Sequence, residues 1–306
     1  MKLLIDNAKR PGGGTEFGIS GLEARRECPT KYRLDQARRA DYQSLIDAGV
    51  EVSEGDGDFT GLHSGTLHHY MMRTLVENHV DPREADIEFE LEDPADRQIK
   101  QADFRVPRLA SLYVWRRIYP CLERPHPMTE VQTRVTLPNG EPLTGALDWV
   151  PELSEGEAEK IGFAFGKYGS LKAGLTIIDW KLLGNLEGLF GALGHVYSRQ
   201  WLSYYVQATE HFGRDLANFA FICTQRSKVQ PPKEPNLASA LYPKALPSKA
   251  SALARLLDLY EDGEKVSPWN LKACVTAGKL CRHAPESGGS CTMGLDMFDL
   301  DGILGR

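Results

Sequence analysis

The stretch LTIIDWKLLG, residues 175–184, constrains the fold more than any other part of this sequence. Its first four residues, Leu175 to Ile178, are apolar or β-branched, which is typical of a buried strand. Asp179 and Lys181 follow directly, and their spacing of two places both side chains on one face of that strand. An acid and a lysine at the end of a buried strand are costly unless the structure uses them. A functional site is therefore expected at this point.

Hydrophobic periodicity and turn residues predict the elements around this strand. Helices are predicted over 64–80, 104–119, 189–213 and 249–263, and strands over 128–137, 143–150 and 216–224. The dipeptide Asn139–Gly140 predicts a hairpin turn between the first two of these strands, and the acidic segment 151–174 is predicted to be a loop. This order predicts an α/β fold with a mixed central sheet flanked by helices.

Composition limits the classes of protein to consider. The chain of 306 residues is 42% hydrophobic and carries a net charge of −6. It has no apolar run long enough for a membrane span and no signal peptide, so the default expectation is a cytoplasmic protein that does not bind membranes. The negative charge counts against a passive nucleic-acid coat, but less against an enzyme whose bound metal ions supply positive charge locally.

A second acid accompanies the first. Asp148 closes the strand 143–150 in the segment GALD, while Asp179 and Lys181 close the strand 175–181. If these strands are neighbours, both carboxylates converge at one edge of the sheet. Paired carboxylates suit a hard divalent cation such as Mg²⁺ or Mn²⁺, and a nearby lysine can position water and stabilise developing phosphate charge. The set predicts metal-assisted hydrolysis of phosphodiesters.

Four segments in this order resemble the PD-(D/E)XK nuclease superfamily in its RecB-type exonuclease form. They are GTLHH (65–69), GALD (145–148), IIDWK (177–181) and QWLSY (200–204). The resemblance implies a restriction-endonuclease-like fold in a single nuclease domain over 1–306. The core would span about 64–225, and residues 20–63 and 226–306 would form a helical, cysteine-bearing part.

The resemblance also implies roles for individual residues. Mg²⁺ or Mn²⁺ would be held by His69, Asp148 and Asp179, together with the backbone carbonyl of Trp180. Lys181 would orient the attacking water.

Two residues of the segment 200–204 are implied to act beside these. Gln200 and Tyr204 share a helical face at a spacing of four and would support the site or grip the substrate strand. Glu130, in the first hairpin strand, lies where members of the family often carry an extra acid, but it is interpreted as an ordinary strand acid rather than a ligand.

The cysteines fit an iron–sulfur branch of the same superfamily, similar to CRISPR-adaptation, AddB-type and phage nucleases. That branch has one cysteine before the histidine segment and three after the nuclease core, and here these are Cys28, Cys274, Cys281 and Cys291. Four thiolates suit a [4Fe–4S] cluster, which would join the two ends of the chain. A zinc site is the alternative, although the close Cys pairs typical of structural zinc are absent from the sequence. Cys223, inside an apolar strand, is interpreted as a small hydrophobe.

The expected function is a metal-dependent deoxyribonuclease, with exonuclease action on DNA ends or single strands as the tendency of the family. Its partners would be DNA and other recombination or CRISPR-adaptation proteins. The alternative is a nuclease-fold subunit that binds DNA or assembles a recombination, repair or CRISPR-adaptation complex without catalysis of its own.

Overall fold

The computed structural model describes residues 1–5, 60–83, 87–92, 104–166, 170–184, 186, 200–225, 237–265, 275–276 and 279–280. The backbone divides into two compact units, one of residues 1–15 and 58–253 and the other of residues 16–57 and 254–306. The single nuclease domain over 1–306 therefore stays a prediction. None of the described helices is long and apolar enough to cross a membrane.

The elements of the described residues follow in chain order. They are β1 (Lys2–Ile5), α1 (Thr60–Glu77), β2 (Glu88–Leu91), α2 (Arg105–Ile118), β3 (Thr129–Thr136), β4 (Pro142–Trp149), β5 (Glu152–Leu153), α3 (Glu155–Phe165), β6 (Gly174–Leu183), α4 (Gln200–Phe212), β7 (Asn218–Gln225), β8 (Ala238–Pro243), α5 (Lys249–Lys265), β9 (Val275–Thr276) and β10 (Lys279–Leu280).

A six-stranded mixed sheet forms the centre of the first unit. The strand order is β3-β4-β6-β7-β8, and β5 pairs with β6 outside this path. The β6–β7 pair is parallel, whereas β3–β4, β4–β6, β5–β6 and β7–β8 are antiparallel. The predicted mixed α/β sheet with flanking helices is thus confirmed. A separate parallel pair joins β1 to β2.

The middle strands are buried on both faces because helices cover both. Ile178, Trp180 and Ile222 belong to the core that α1 and α2 share. Phe219, which points to the opposite face of β7, contacts Trp201 and Tyr204 of α4. Burial on both faces explains why β6 and β7 read as nearly continuous apolar runs.

Helix α2 is a core helix whose basic residues hold neighbouring segments in place. The guanidinium groups of Arg108, Arg116 and Arg117 donate to the backbone carbonyls of Ile87, Pro82 and Ala164. The indole of Trp115 is fully buried and donates to the carbonyl of Val80 at 2.7 Å.

Two sequence predictions need amendment. The loop predicted over 151–174 is wrong, because the segment contains β5 and the three-turn helix α3. Ser154 caps α3: its hydroxyl accepts from the N–H of Glu157, and the Glu157 carboxylate accepts from the N–H of Ser154. The helix predicted over 189–213 is described only as α4, and 189–199 lies outside the described residues.

Glu157 also supports the strand that leads into the predicted site. Its carboxylate is fully buried and accepts from the N–H of Glu123 at 2.8 Å and from the ring of His126 at 2.9 Å. The carbonyl of His126 accepts in turn from the indole N–H of Trp149 at 2.8 Å. Burial opposes ionisation of Glu157, but the hydrogen bonds from Ser154, His126 and Glu123 outweigh it and lower its pKa to about 2.

We expect Glu157→Gln to lower the free energy of unfolding by about 1–3 kcal/mol at pH 7, because the amide loses charge-assisted hydrogen bonds in a buried place. A carboxyl whose pKa is depressed on folding stabilises the protein above its unfolded pKa of about 4.3 and loses that contribution as the pH falls towards 2. Thermal unfolding at pH 7 and pH 3 should therefore show a smaller difference between parent and variant at the lower pH. Glu159→Gln, on an exposed position of the same helix, is the control. A loss as large for Glu159→Gln, or one independent of pH, would contradict the assignment.

Candidate active site

Two stacked tryptophans lie directly beside the two predicted acids, Asp148 and Asp179, on adjacent strands. The rings of Trp149 and Trp180 lie 5.5 Å apart with an interplanar angle of 16°. Trp149 of β4 is opposite Ile178 of β6 in the register of the sheet. Asp148 and Asp179 each precede one of these tryptophans directly, so the stack brings both acids to the same end of the β4–β6 pair.

Asp148 connects three elements through one carboxylate oxygen. Its Oδ2 accepts a hydrogen bond from the backbone N–H of Trp180 at 2.9 Å and lies 3.2 Å from Nδ1 of His69 on α1. The side chain is almost completely buried. Burial opposes ionisation, but the charges of His69 and Lys181 and the N–H of Trp180 keep the pKa of Asp148 below its ordinary value.

His69 faces the sheet from α1. Burial favours its neutral form, yet the carboxylate of Asp148 outweighs burial and raises the pKa of the imidazole. Its neighbour His68 points elsewhere: Nδ1 of His68 lies 2.8 Å from the hydroxyl of Ser111 on α2. The two adjacent histidines thus differ in their contacts, and His69 is the one that lies at the carboxylates.

Glu130 joins this group, although its sequence context suggested an ordinary strand acid. It occupies the place opposite Asp148 in the β3–β4 ladder, between the pairs Thr129–Trp149 and Val131–Leu147. Its φ is +47°, in the left-handed region that non-glycine residues rarely adopt. Such strain persists where the surroundings fix it and is concentrated at functional sites.

Glu130 lies beside a contact between β3 and α1. The hydroxyl of the preceding Thr129 donates to the carboxylate of Glu77 on α1. Burial, together with the nearby charge of Asp148, raises the pKa of Glu130 to about 8. One ligand atom each from Glu130, His69 and Asp148 lies within 4.8 Å of the others.

Asp179 and Lys181 form an ion pair on one face of β6. The ammonium of Lys181 contacts Oδ1 of Asp179; the Asp179 side chain is fully buried, whereas that of Lys181 is partly exposed. Burial opposes the charged lysine, but Asp179 and Asp148 outweigh it and raise the pKa of Lys181. Burial raises the pKa of Asp179 despite the lysine. The Lys181 ammonium also lies 5.8 Å from the ring centroid of Phe221 on β7.

Gln200 and Tyr204 approach the same carboxylates from α4. The Gln200 amide donates to the Tyr204 hydroxyl at 2.9 Å. Burial and the charges of Asp179 and Asp148 raise the pKa of Tyr204 well above its ordinary value, so the phenol stays protonated near these acids. Because its oxygen accepts from Gln200, its own proton is directed to another acceptor.

The structure does not describe the four cysteines that were predicted to hold an iron–sulfur cluster. Cys28, Cys274, Cys281 and Cys291 lie outside the described residues. Cys121 and Cys223 are buried free thiols, and Cys223 behaves as the small hydrophobe predicted for it. The carbonyl of Trp180 stays a predicted ligand.

The chain matches no family model and no curated protein. The resemblance to nucleases therefore rests on the four sequence segments, and the chemistry has to be argued from the side chains themselves.

The donor set suits a hard divalent cation. It consists of carboxylate oxygens and one imidazole nitrogen, which fits Mg²⁺ or Mn²⁺. Buried polar atoms without a hydrogen-bond partner among the described residues include Oε2 of Glu130 and Oδ2 of Asp179. Since buried polar atoms are normally satisfied, unsatisfied carboxylate oxygens at this place are compatible with a cation between them.

We expect Glu130→Gln to weaken Mn²⁺ binding at least about tenfold, because even partners outside the ligand shell cost that much when they are removed. Isothermal titration of the metal-free protein with Mn²⁺ measures the effect. Glu141→Gln, an exposed change at the other end of the same hairpin, should leave the affinity unchanged. Equal affinities for Glu130→Gln and the parent would remove Glu130 from the site.

Proposed function

We propose that the protein is a metal-dependent deoxyribonuclease of the PD-(D/E)XK superfamily, of the RecB-type exonuclease kind. The observation that carries the proposal is the convergence of His69, Asp148, Asp179 and Lys181. These residues come from three separate elements, and the sequence segments that contain them resemble those of the family. The hairpin β3–β4, the antiparallel neighbour β6, helix α4 and the parallel β7 are compatible with a restriction-endonuclease-like fold.

The residues of the candidate site would have different roles in phosphodiester hydrolysis. Asp148, Asp179, Glu130 and His69 would hold the divalent ion, with the Trp180 carbonyl as a further ligand. When bound, Mg²⁺ or Mn²⁺ supplies positive charge to the scissile phosphate and lowers the pKa of water.

Lys181 acts as a donor rather than a base. Its raised pKa keeps it an ammonium at neutral pH, so it has no lone pair with which to take a proton. It donates a hydrogen bond that orients the attacking water, and its charge stabilises the negative charge that develops on the phosphate. The protonated phenol of Tyr204, held by Gln200, offers a second donor beside the carboxylates.

We expect Asp148→Ala, Asp179→Ala and Lys181→Ala each to lower kcat at least about 100-fold, because the three groups act as one unit on the reacting atoms. The measurement uses end-labelled linear single-stranded and double-stranded DNA and closed circular DNA, with Mg²⁺, Mn²⁺, Ca²⁺ or EDTA. Cleavage of linear but not circular DNA is expected, in Mg²⁺ or Mn²⁺ only, since Ca²⁺ takes more ligands at longer distances.

Circular dichroism checks that each variant is folded. Asp81→Asn, in an ion pair with Arg83 at the surface, is the matched control and should cleave like the parent. Full turnover in EDTA, or parental kcat in any of the three variants, would rule out the mechanism. A parent that binds DNA and Mn²⁺ without cleaving it would instead indicate a binding or assembly subunit.

The proposal includes a structural [4Fe–4S] cluster held by Cys28, Cys274, Cys281 and Cys291, with zinc as the alternative metal. The support is the number and order of these cysteines in the sequence. The antiparallel hairpin β9–β10 occupies the short interval between Cys274 and Cys281. A cluster that joins Cys28 to the C-terminal three closes a long loop, and this closure stabilises the folded chain.

We expect Cys28→Ala and Cys281→Ala to lose iron and sulfide and to unfold at a lower temperature, whereas Asp179→Ala keeps both properties and loses only cleavage. Protein purified without oxygen is analysed for iron, sulfide and zinc, and its thermal unfolding is followed. Cys121→Ala removes a buried thiol outside the predicted cluster and should retain the metal. Unchanged metal content and stability in the two cysteine variants would exclude the cluster.

A further inference from the structure

Helix α4 contacts the sheet through a stripe of polar side chains. Gln200, Ser203, Tyr204 and Gln207 recur at helical spacing on one face, and Ser203 and Gln207 are fully buried. A helix packed on a sheet normally presents apolar residues there. Buried amides and hydroxyls lower stability unless each is hydrogen-bonded, so this stripe needs a reason beyond packing.

The buried half of the stripe forms one connected network with the hairpin. The Gln207 amide donates to the Ser203 hydroxyl at 2.6 Å. The hydroxyl of Thr133 on β3 lies 2.6 Å from Oε1 of Gln207 and 3.1 Å from the carbonyl of Gly145 on β4. Thr133 and Gly145 are opposite each other in the register of the hairpin. The network therefore ties α4 to one place on the β3–β4 pair.

Gly145 makes this close approach possible. A Cβ added to Gly145 would lie 2.8 Å from Oε1 of Gln207, 3.2 Å from its Nε2 and 3.2 Å from Cε1 of Tyr204. Gly145 is not among the residues with positive φ, so its backbone does not itself require glycine. The requirement comes from the contact with α4.

Tyr204 links this contact to the carboxylates. Its ring lies against Gly145 at one edge, and its hydroxyl accepts from Gln200. The charges of Asp179 and Asp148 act on the same hydroxyl. Asp148 is three residues beyond Gly145 on the same strand. The distance between α4 and β4 at Gly145 therefore affects the position of the Tyr204 hydroxyl relative to the carboxylates of Asp148 and Asp179.

We propose that Gly145 and Gln207 are positioning residues, which seat α4 so that the Gln200–Tyr204 pair is held over the metal-binding carboxylates. This inference rests on the proposed nuclease function for its kinetic test. Neither residue touches the reacting atoms. Their effect is exerted through Tyr204, and it should appear in kcat rather than in the affinity for the metal.

The test is a double-mutant cycle between the two positions. Gly145→Ala should lower kcat about 10- to 100-fold, as expected for a displacement of about 1 Å near the chemistry. Its KM and its affinity for Mn²⁺ should stay within about twofold of the parent, because the ligands themselves are not displaced. Gln207→Ala should lower kcat less. The double variant should regain at least about fivefold in kcat over Gly145→Ala, since the obstructing amide has gone.

Two further variants sharpen the result. Gly156→Ala is the matched control, because its added Cβ would meet Oε1 of Glu123 at the same 2.8 Å, but on α3 and against an exposed side chain that is free to turn away. It should cleave like the parent. Thr133→Val removes the donor without adding atoms to the contact and should lower kcat about fivefold, which keeps the proposal testable if Gly145→Ala does not fold.

The outcomes separate this inference from the proposed function. A parental kcat for Gly145→Ala, a double variant no faster than Gly145→Ala, or a parallel loss of Mn²⁺ affinity would overturn the positioning role. If the parent binds Mn²⁺ but cleaves no DNA, the proposed function is wrong. The same cycle is then measured by thermal unfolding. A Tm of the double variant above that of Gly145→Ala supports the proposed contact between Gly145 and Gln207 that positions α4. Additive losses of Tm in the two single variants refute it.

Discussion

The site depends on the contacts that the carboxylate of Asp148 makes with two other elements. One of its oxygens accepts the N–H of Trp180 on the adjacent strand and faces the imidazole of His69 on α1. The site contains three acids, Glu130, Asp148 and Asp179. Their basic partners are Lys181 and His69. Burial, and to a smaller extent the charge of Asp148, raise the pKa of Glu130 and of Asp179. A divalent cation among these groups would satisfy their unpaired ligand atoms and offset the cost of burying them.

Such a cluster keeps its geometry only on a rigid support. The stack of Trp149 on Trp180 lies directly beside the two aspartates, in a core shared with α1 and α2. Trp149 is fixed by the carbonyl of His126, and His126 by the buried carboxylate of Glu157. The cap of α3 is thus connected to the ligand strand through hydrogen bonds alone. Packing and polar contacts outside the site both help to determine the positions of Asp148 and Asp179.

The sequence predicted the part of the site that depends on local signals. The apolar run before Asp179, the alternation of the hairpin and the Asn139–Gly140 turn each have a short-range cause, and they place Asp148 and Asp179 on predicted strands. That the two acids approach each other depended on the condition that these strands are neighbours, which the pairing of β4 with β6 meets. Helix α3 was missed because its acidic composition suggested a loop, although the capping pattern of Ser154 and Glu157 was present in the sequence. Glu130 stands where relatives often carry an extra acid, but nothing local distinguishes it from an ordinary strand acid. Its approach to His69 brings together α1 and the β3–β4 hairpin, which are far apart in the sequence.

Helix α4 shows why stability and function make different demands at such a site. An apolar face would bury more surface but could slide along the sheet by small amounts at little cost, since dispersion contacts are non-directional. A buried amide between Thr133 and Ser203 is satisfied in only one register, because any shift leaves a polar group unpaired. Glycine at 145 removes a side chain from the same contact and lets the helix approach. The polar stripe therefore exchanges some burial for a fixed position of Tyr204 beside two carboxylates, as the proposed role of its phenol would require.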